Sequence, residues 1–223
     1  MKFTLFARLT AEFLGTAILV AAVVGSGIMG EKLSGGNVAI ALLANTIATG
    51  AALVALILTF GSISGAHFNP VVTLADAIAG RISWADASGY AAVQIVGGIA
   101  GAVAAHLMFG LPVVSLSLHA RAGWQLALSE FVATFGLLFV ILGCSKFRSS
   151  MVPFAVGAYI TAAYWFTAST SFANPAVTIA RSLTNTFSGI RPVDVPWFLA
   201  AQFCGGLAAT ILFGSLRPVS MER

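Results

Sequence analysis

Three short segments in the first half of the chain return, in the same order, in the second half. Ala11-Glu12-Phe13-Leu14-Gly15-Thr16 is matched by Ser129-Glu130-Phe131-Val132-Ala133-Thr134. Phe68-Asn69-Pro70-Val71-Val72-Thr73-Leu74-Ala75 is matched by Ala173-Asn174-Pro175-Ala176-Val177-Thr178-Ile179-Ala180, and Gln94 to Gly98 by Gln202 to Gly206. The separations of 118, 105 and 108 residues keep the matches in register. One match is chance; three in order make the chain a doubled unit. The expected repeats cover about residues 5–111 and 122–216 of a single domain, 1–223.

Composition sets the solvent of that unit. Of the 223 residues, 59% are hydrophobic and 8% charged, against roughly 25% charged in an average soluble domain. That excludes a secreted disulfide scaffold and a disordered chain. The 11 Lys and Arg residues are scattered singly and leave a net charge of +4. No basic face arises for nucleic acid, and no nucleic-acid partner, metal or cofactor is expected. One helical span takes ~20 apolar residues. Apolar runs at about 9–29, 37–60, 89–111, 124–144, 152–168 and 196–214 therefore predict six spans. The first run continues through Ile28 without a cleavage site and reads as a retained span, not a signal peptide. Cys144 and Cys204 read as small buried hydrophobes. The spans hold no Ser/His/Asp set, paired aspartates or His-Glu-x-x-His run, so the chain is not read as an enzyme.

Three spans per unit is an odd number, so the second unit sits upside down relative to the first. The two Asn-Pro segments then enter from opposite faces as short helices, with Pro suited to the first helical turn. Irregular backbone at membrane depth survives only inside protein or along a wet cavity. Each half-helix aims its positive end at the centre, where it raises the energy of a cation. The Asn69 and Asn174 amides are placed to donate hydrogen bonds there. With both termini cytoplasmic, Lys2, Arg8, Arg81, Lys146, Arg148, Arg217 and Arg223 lie inside, against Lys32, Arg121, Arg181 and Arg191 outside. That excess favours this orientation, in a cytoplasmic (inner) cell membrane.

The run Ser64-Gly65-Ala66-His67-Phe68-Asn69-Pro70-Val71-Val72-Thr73, its partner Ser171-Phe172-Ala173-Asn174-Pro175-Ala176, and Glu12 and Glu130 carry a family resemblance across the whole chain. The sequence resembles the major intrinsic proteins, the aquaporin and aquaglyceroporin channels. The resemblance implies an all-α membrane protein of six transmembrane helices plus two re-entrant half-helices, a pore in each subunit and a homotetramer in the bilayer. The first motif ends in Val71 where the family usually has Ala. Most water-selective members also place an Arg directly after the second motif, and Val177 stands there instead. Counting from the motifs without gaps, the family's other selectivity-filter positions fall on Thr49, Ala162 and Ser171. All four are small and uncharged, which implies a wide filter. The expected activity is passive passage of water and small neutral solutes such as polyols and metalloid acids, arsenite included, as in some bacterial aquaglyceroporins. A water-selective aquaporin is the alternative, and an ion-coupled secondary transporter is less favoured.

Seven further polar groups need an account. Glu12 and Glu130 sit inside apolar spans, where a carboxylate costs ~2.5–3.5 kcal/mol on insertion scales. They are expected to accept hydrogen bonds from backbone N–H groups of the re-entrant segments, rather than to relay protons. His67, by resemblance, lines the cytoplasmic half of the pore. Arg181 is expected to be an interfacial cation that snorkels to headgroups, with the outer vestibule as the alternative; Asp76, its counterpart in the first repeat, is read the same way. His106 and His119 are read as interfacial.

Overall fold

The computed structural model describes residues 3–216. Lys2, Arg217 and Arg223, invoked for orientation, lie outside the described residues. Among these residues the fold is all-helical: α1 (Leu5–Leu33), α2 (Val38–Ser64), α3 (Pro70–Ile78), α4 (Trp84–Met108), α5 (Trp124–Phe147), α6 (Val152–Phe166), α7 (Pro175–Arg181) and α8 (Val195–Ser215). Helix starts follow local chemistry. Thr4 caps α1 by accepting from Ala7 N at 3.2 Å, Asn37 caps α2 through Ala39 N and Ile40 N, and Ser83 caps α4 through Asp86 N. Helix α2 stops at Gly65, whose φ of 93° belongs to the left-handed region that glycine adopts without penalty.

Five helical stretches, beginning at Leu5, Val38, Trp84, Trp124 and Pro192, are long and apolar enough to cross a membrane. The sixth apolar run, expected at 152–168, is the 15-residue helix α6. At 1.5 Å per residue it is ~22 Å long, short of the ~30 Å hydrocarbon core. The chain leaves the helix at Thr167 and continues as irregular backbone to Asn174, which caps α7. The first repeat does the same between Ser64 and Asn69, the cap of α3. Both short helices start next to each other in the interior.

Packing repeats in the two halves: α1 lies against α2 and α4, and α5 against α6 and α8. A side chain at Gly97 would press on the Phe13 carbonyl, and one at Gly205 on the Phe131 carbonyl. These glycines let the backbones touch, the small-residue contact that membrane helices use. Leu19, Val20, Leu53, Phe68, Val71, Leu137, Leu138 and Val177 join both halves in one core. Phe6, Ile47, Val96, Leu128 and Ile211 face outward, as an apolar solvent requires. The expectation of buried cysteines fails: Cys144 is half-buried and Cys204 exposed on α8, because the lipid-facing side of a membrane helix is as apolar as its core.

Candidate solute pathway

The re-entrant segments are built from strained backbone held by two carboxylates. Ala66 (φ 51°) and Phe68 (φ 49°) have left-handed backbone, as do Thr170 (φ 61°), Ser171 (φ 48°) and Ala173 (φ 49°) in the second repeat. Each non-glycine residue there costs ~1–2 kcal/mol, so something must hold them. Glu12 accepts from His67 N at 3.0 Å, Phe68 N at 2.7 Å, the Ser64 hydroxyl at 2.6 Å and the Gln94 amide at 2.8 Å. Glu130 accepts from Phe172 N at 2.9 Å, Ala173 N at 2.8 Å and the Gln202 amide at 2.6 Å. Both carboxylates are fully buried. Their charge is met by donors that would otherwise have no helical partner. Gln94 and Gln202 each donate a second bond, to Thr73 at 3.0 Å and Thr178 at 2.8 Å. These four residues had no assigned role in the sequence reading, although the 105- and 108-residue separations pair them.

The Asn-Pro ends are cross-linked. The Asn69 amide donates to Ala173 O and the Asn174 amide to Phe68 O, each at 2.8 Å. Their oxygens accept from the first turn of their own helices, Asn69 from Val71 N and Asn174 from Ala176 N and Val177 N. Pro70 and Pro175 occupy the helix starts, where their lack of an N–H costs nothing. A primary amide carries two N–H donors, so each Asn keeps one beyond the cross-link. Val71 is accommodated because Gly206 stands opposite it, where a Cβ would strike the Val71 side chain.

A cavity of about 280 Å³ runs past both Asn residues. Toward the end where α1 begins it is lined by His67, Asp76, Arg81, Ile57, Ser145 and Val152. Toward the other end its lining includes Thr49, Tyr164, Ser171, Phe172, Val177 and Arg181. Thr49 shares a 3.2 Å hydrogen bond with the Tyr164 hydroxyl, and the Ser171 hydroxyl has no partner.

Four placements differ from the sequence reading. Ala162 is on the exposed face of α6, and the cavity meets this helix at Val152, Val156, Ile160 and Tyr164. Positions four apart share a helix face, and Ala162 is half a turn off it; the ungapped count ignored the irregular segment after Thr167. Arg181 is 1% exposed and does not snorkel. Its Nε donates to Ser188 O, its guanidinium lies 3.3 Å from the Phe172 ring centre, and residues 182–191 fold over it. Its Nη1 has no partner. Asp76 likewise faces the cavity, bonding to His67 Nε2 at 3.0 Å and to Arg81. His106 is also buried, between Pro112 O and the Thr184 hydroxyl at 2.6 Å each.

Arg121, in the loop before α5, donates to Gly189 O at 2.8 Å and Ser169 O at 3.1 Å, and stacks 4.9 Å from the Phe172 ring. Burial pulls its guanidinium below the ordinary arginine value, with Glu130 acting in the opposite sense.

A doubled helical unit, two capped half-helices cross-linked at their Asn residues and a cavity running past them are matched by a known family. The model of the major intrinsic proteins matches residues 1–169 and 117–222. The chain belongs to the major intrinsic protein family. It is 56% identical to an aquaglyceroporin, AqpS, of Rhizobium meliloti (strain 1021) over 211 residues, 95% of this chain and 90% of that one. It is 34% identical to the aquaporin NIP1-4 of Oryza sativa subsp. japonica over 97% of this chain and 79% of that one. The fold resembles the solved aquaglyceroporin of Plasmodium falciparum, with a TM-score of 0.75 at 18% identity, covering 96% of this chain and 97% of that one. Members of this family are channels, not enzymes. As a major intrinsic protein, the chain is a multi-pass membrane channel for small neutral solutes.

Proposed function

We propose that the channel passes glycerol-sized polyols and metalloid acids such as arsenite, in addition to water, along the cavity that both Asn69 and Asn174 line. The observation that carries this reading is the side-chain set at the far end of the cavity. Val177 follows the second Asn-Pro motif, and Thr49 and Ser171 add only short hydroxyl-bearing side chains. Such a filter is weakly polar and accommodates solutes with several hydroxyl groups. Tyr164 takes the part first assigned to Ala162, and its hydroxyl extends the row of donors and acceptors beside Thr49. Near the midplane, the remaining amide hydrogens of Asn69 and Asn174 serve solute oxygens, while the positive helix ends oppose cations. Val71 and Ala176 close the motifs behind them. Glu12 and Glu130 are structural in this reading, since each accepts from two backbone N–H groups of a re-entrant segment and from a Gln amide of a neighbouring helix. His67 lines the end we assign to the cytoplasm.

The same residues supply one observation for a second reading. Arg181 brings a charged group to the outer vestibule, and with Tyr164 it narrows this end, as a water-selective channel requires. The readings separate in proteoliposomes carrying Val177→Arg or Arg181→Leu. In the polyol reading Val177→Arg lowers glycerol flux and Arg181→Leu changes it little. Glycerol entry that appears only in Arg181→Leu favours the water channel.

Both termini are assigned to the cytoplasm of a cell-membrane protein. Arg181 is held inside the protein and Arg121 is half-buried against the Phe172 ring, so the freely exposed outer charges are Lys32 and Arg191, against Arg8, Arg81, Lys146 and Arg148 at the opposite face. The protomer is expected to assemble as a homotetramer, and the repeats 5–111 and 122–216 to form one domain.

A further inference from the structure

The 105-residue offset pairs His67 with Phe172 and Asp76 with Arg181. At the outer end the pair is a ring and a cation, 3.3 Å apart. At the inner end it is an imidazole and a carboxylate, 3.0 Å apart, extended by Arg81. Helix α3 is capped at Ala79, Gly80 turns through φ 69°, and the Arg81 N–H bonds back to Asp76 O at 2.9 Å. This turn lays the Arg81 side chain over the Asp76 carboxylate: Nε and Nη2 donate to Oδ1 at 3.0 and 2.5 Å, and His67 Nε2 reaches Oδ2.

Hydrogen-bond bookkeeping fixes what this cluster offers a solute. Gln94 donates to the Thr73 hydroxyl, so the single Thr73 proton is available to His67 Nδ1, 3.0 Å away. That leaves His67 Nε2–H as the donor to Asp76. Oδ1 then receives two donors and Oδ2 one, so a lone pair of Oδ2 remains. Arg81 Nη1 and the second Nη2 hydrogen also remain. All three residues line the cavity. The mouth therefore presents a paired anion and cation side by side, with a free acceptor on one and free donors on the other. A hydroxyl group, which donates and accepts, satisfies both.

We propose that Asp76 and Arg81 form a second selection station at the inner mouth. It takes up neutral solutes through their hydroxyl groups. The proposal rests on the channel reading, and it assigns discrimination to residues outside the Thr49, Ser171 and Val177 set.

The test compares glycerol permeability with water permeability on the same proteoliposomes, for wild type, Asp76→Leu and Arg81→Met. Arg81 is half exposed, so Arg81→Met preserves the fold even where Asp76→Leu does not. The station predicts a glycerol-to-water ratio lowered about fivefold in either variant, the scale of one lost hydrogen bond. An unchanged ratio in folded Arg81→Met overturns the station. A wild-type protein that passes no glycerol instead overturns the polyol reading on which it rests.

Discussion

Gly206 and Val71 form the contact where the first Asn-Pro motif departs most from its partner. A Cβ at position 206 would run into Val71 Cγ1, while its next neighbours, Val71 Cβ and Thr134 Cγ2, lie at 3.6 and 3.7 Å, ordinary contact distances. The Val71 side chain cannot swing away, because its β-branch is stiff in a helix and the residue is 1% exposed. Gly206→Ala therefore overpacks the site and costs about 1–3 kcal/mol. Val71→Ala alone removes two buried methyl groups and costs about 1.5 kcal/mol. Together the two changes rebuild the Asn-Pro-Ala motif with room for the new methyl, so the double variant is more stable than the sum of the singles by about 1–2 kcal/mol. Thermal unfolding of the detergent-solubilised protein reads this as a Tm that partly recovers, by about 2–4 °C per kcal/mol for a chain of this length. Strict additivity, or a double variant less stable than Gly206→Ala, refutes the packing argument.

Three other outcomes follow from the site. Glu130→Gln turns an amide toward donors already aimed at a carboxylate and destabilises by about 3 kcal/mol or more; an unchanged Tm contradicts the structural role, and Glu12→Gln behaves the same way. Asn174→Ala loses a helix cap and the bond to Phe68 O, together about 2 kcal/mol, read as faster hydrogen exchange at the Ala176 and Val177 amides; wild-type protection there counts against the cross-link. Ala162→Trp leaves solute flux at the wild-type level because its face of α6 is turned from the cavity, whereas Tyr164→Ala alters it; the reverse pattern restores the ungapped assignment.

Much of the architecture was legible because the repeat is written in residue types with little freedom. A carboxylate inside an apolar run demands donors, and Glu12 and Glu130 lie near re-entrant backbone segments that lack helical partners. Asn as a cap followed by Pro at the first helical position favours a helix start, and the match between the repeats allowed α3 and α7 to be placed without the structure. The missed residues have signals of a weaker kind. Gln94, Gln202, Thr73 and Thr178 are ordinary residues singly, and only their pairing across the repeat marks them. Arg181 and Asp76 were read from hydropathy, which assigns a charge near a span end to the interface. Their burial depends on loops that hydropathy does not describe: residues 182–191 over Arg181, and the Gly80 turn that returns Arg81 to Asp76. Ala162 was misplaced because register cannot be counted through a segment that leaves the helix, as the chain does at Thr167.

The most direct measurement is stopped-flow light scattering of proteoliposomes in an inward gradient of glycerol, with osmotic water permeability recorded on the same vesicles. A pathway walled by Thr49, Tyr164, Ser171 and Val177 predicts shrinkage followed by re-swelling faster than in protein-free vesicles, without saturation and without dependence on an ion gradient. Rapid water flux with no re-swelling contradicts it and makes Arg181 the group that closes the outer mouth.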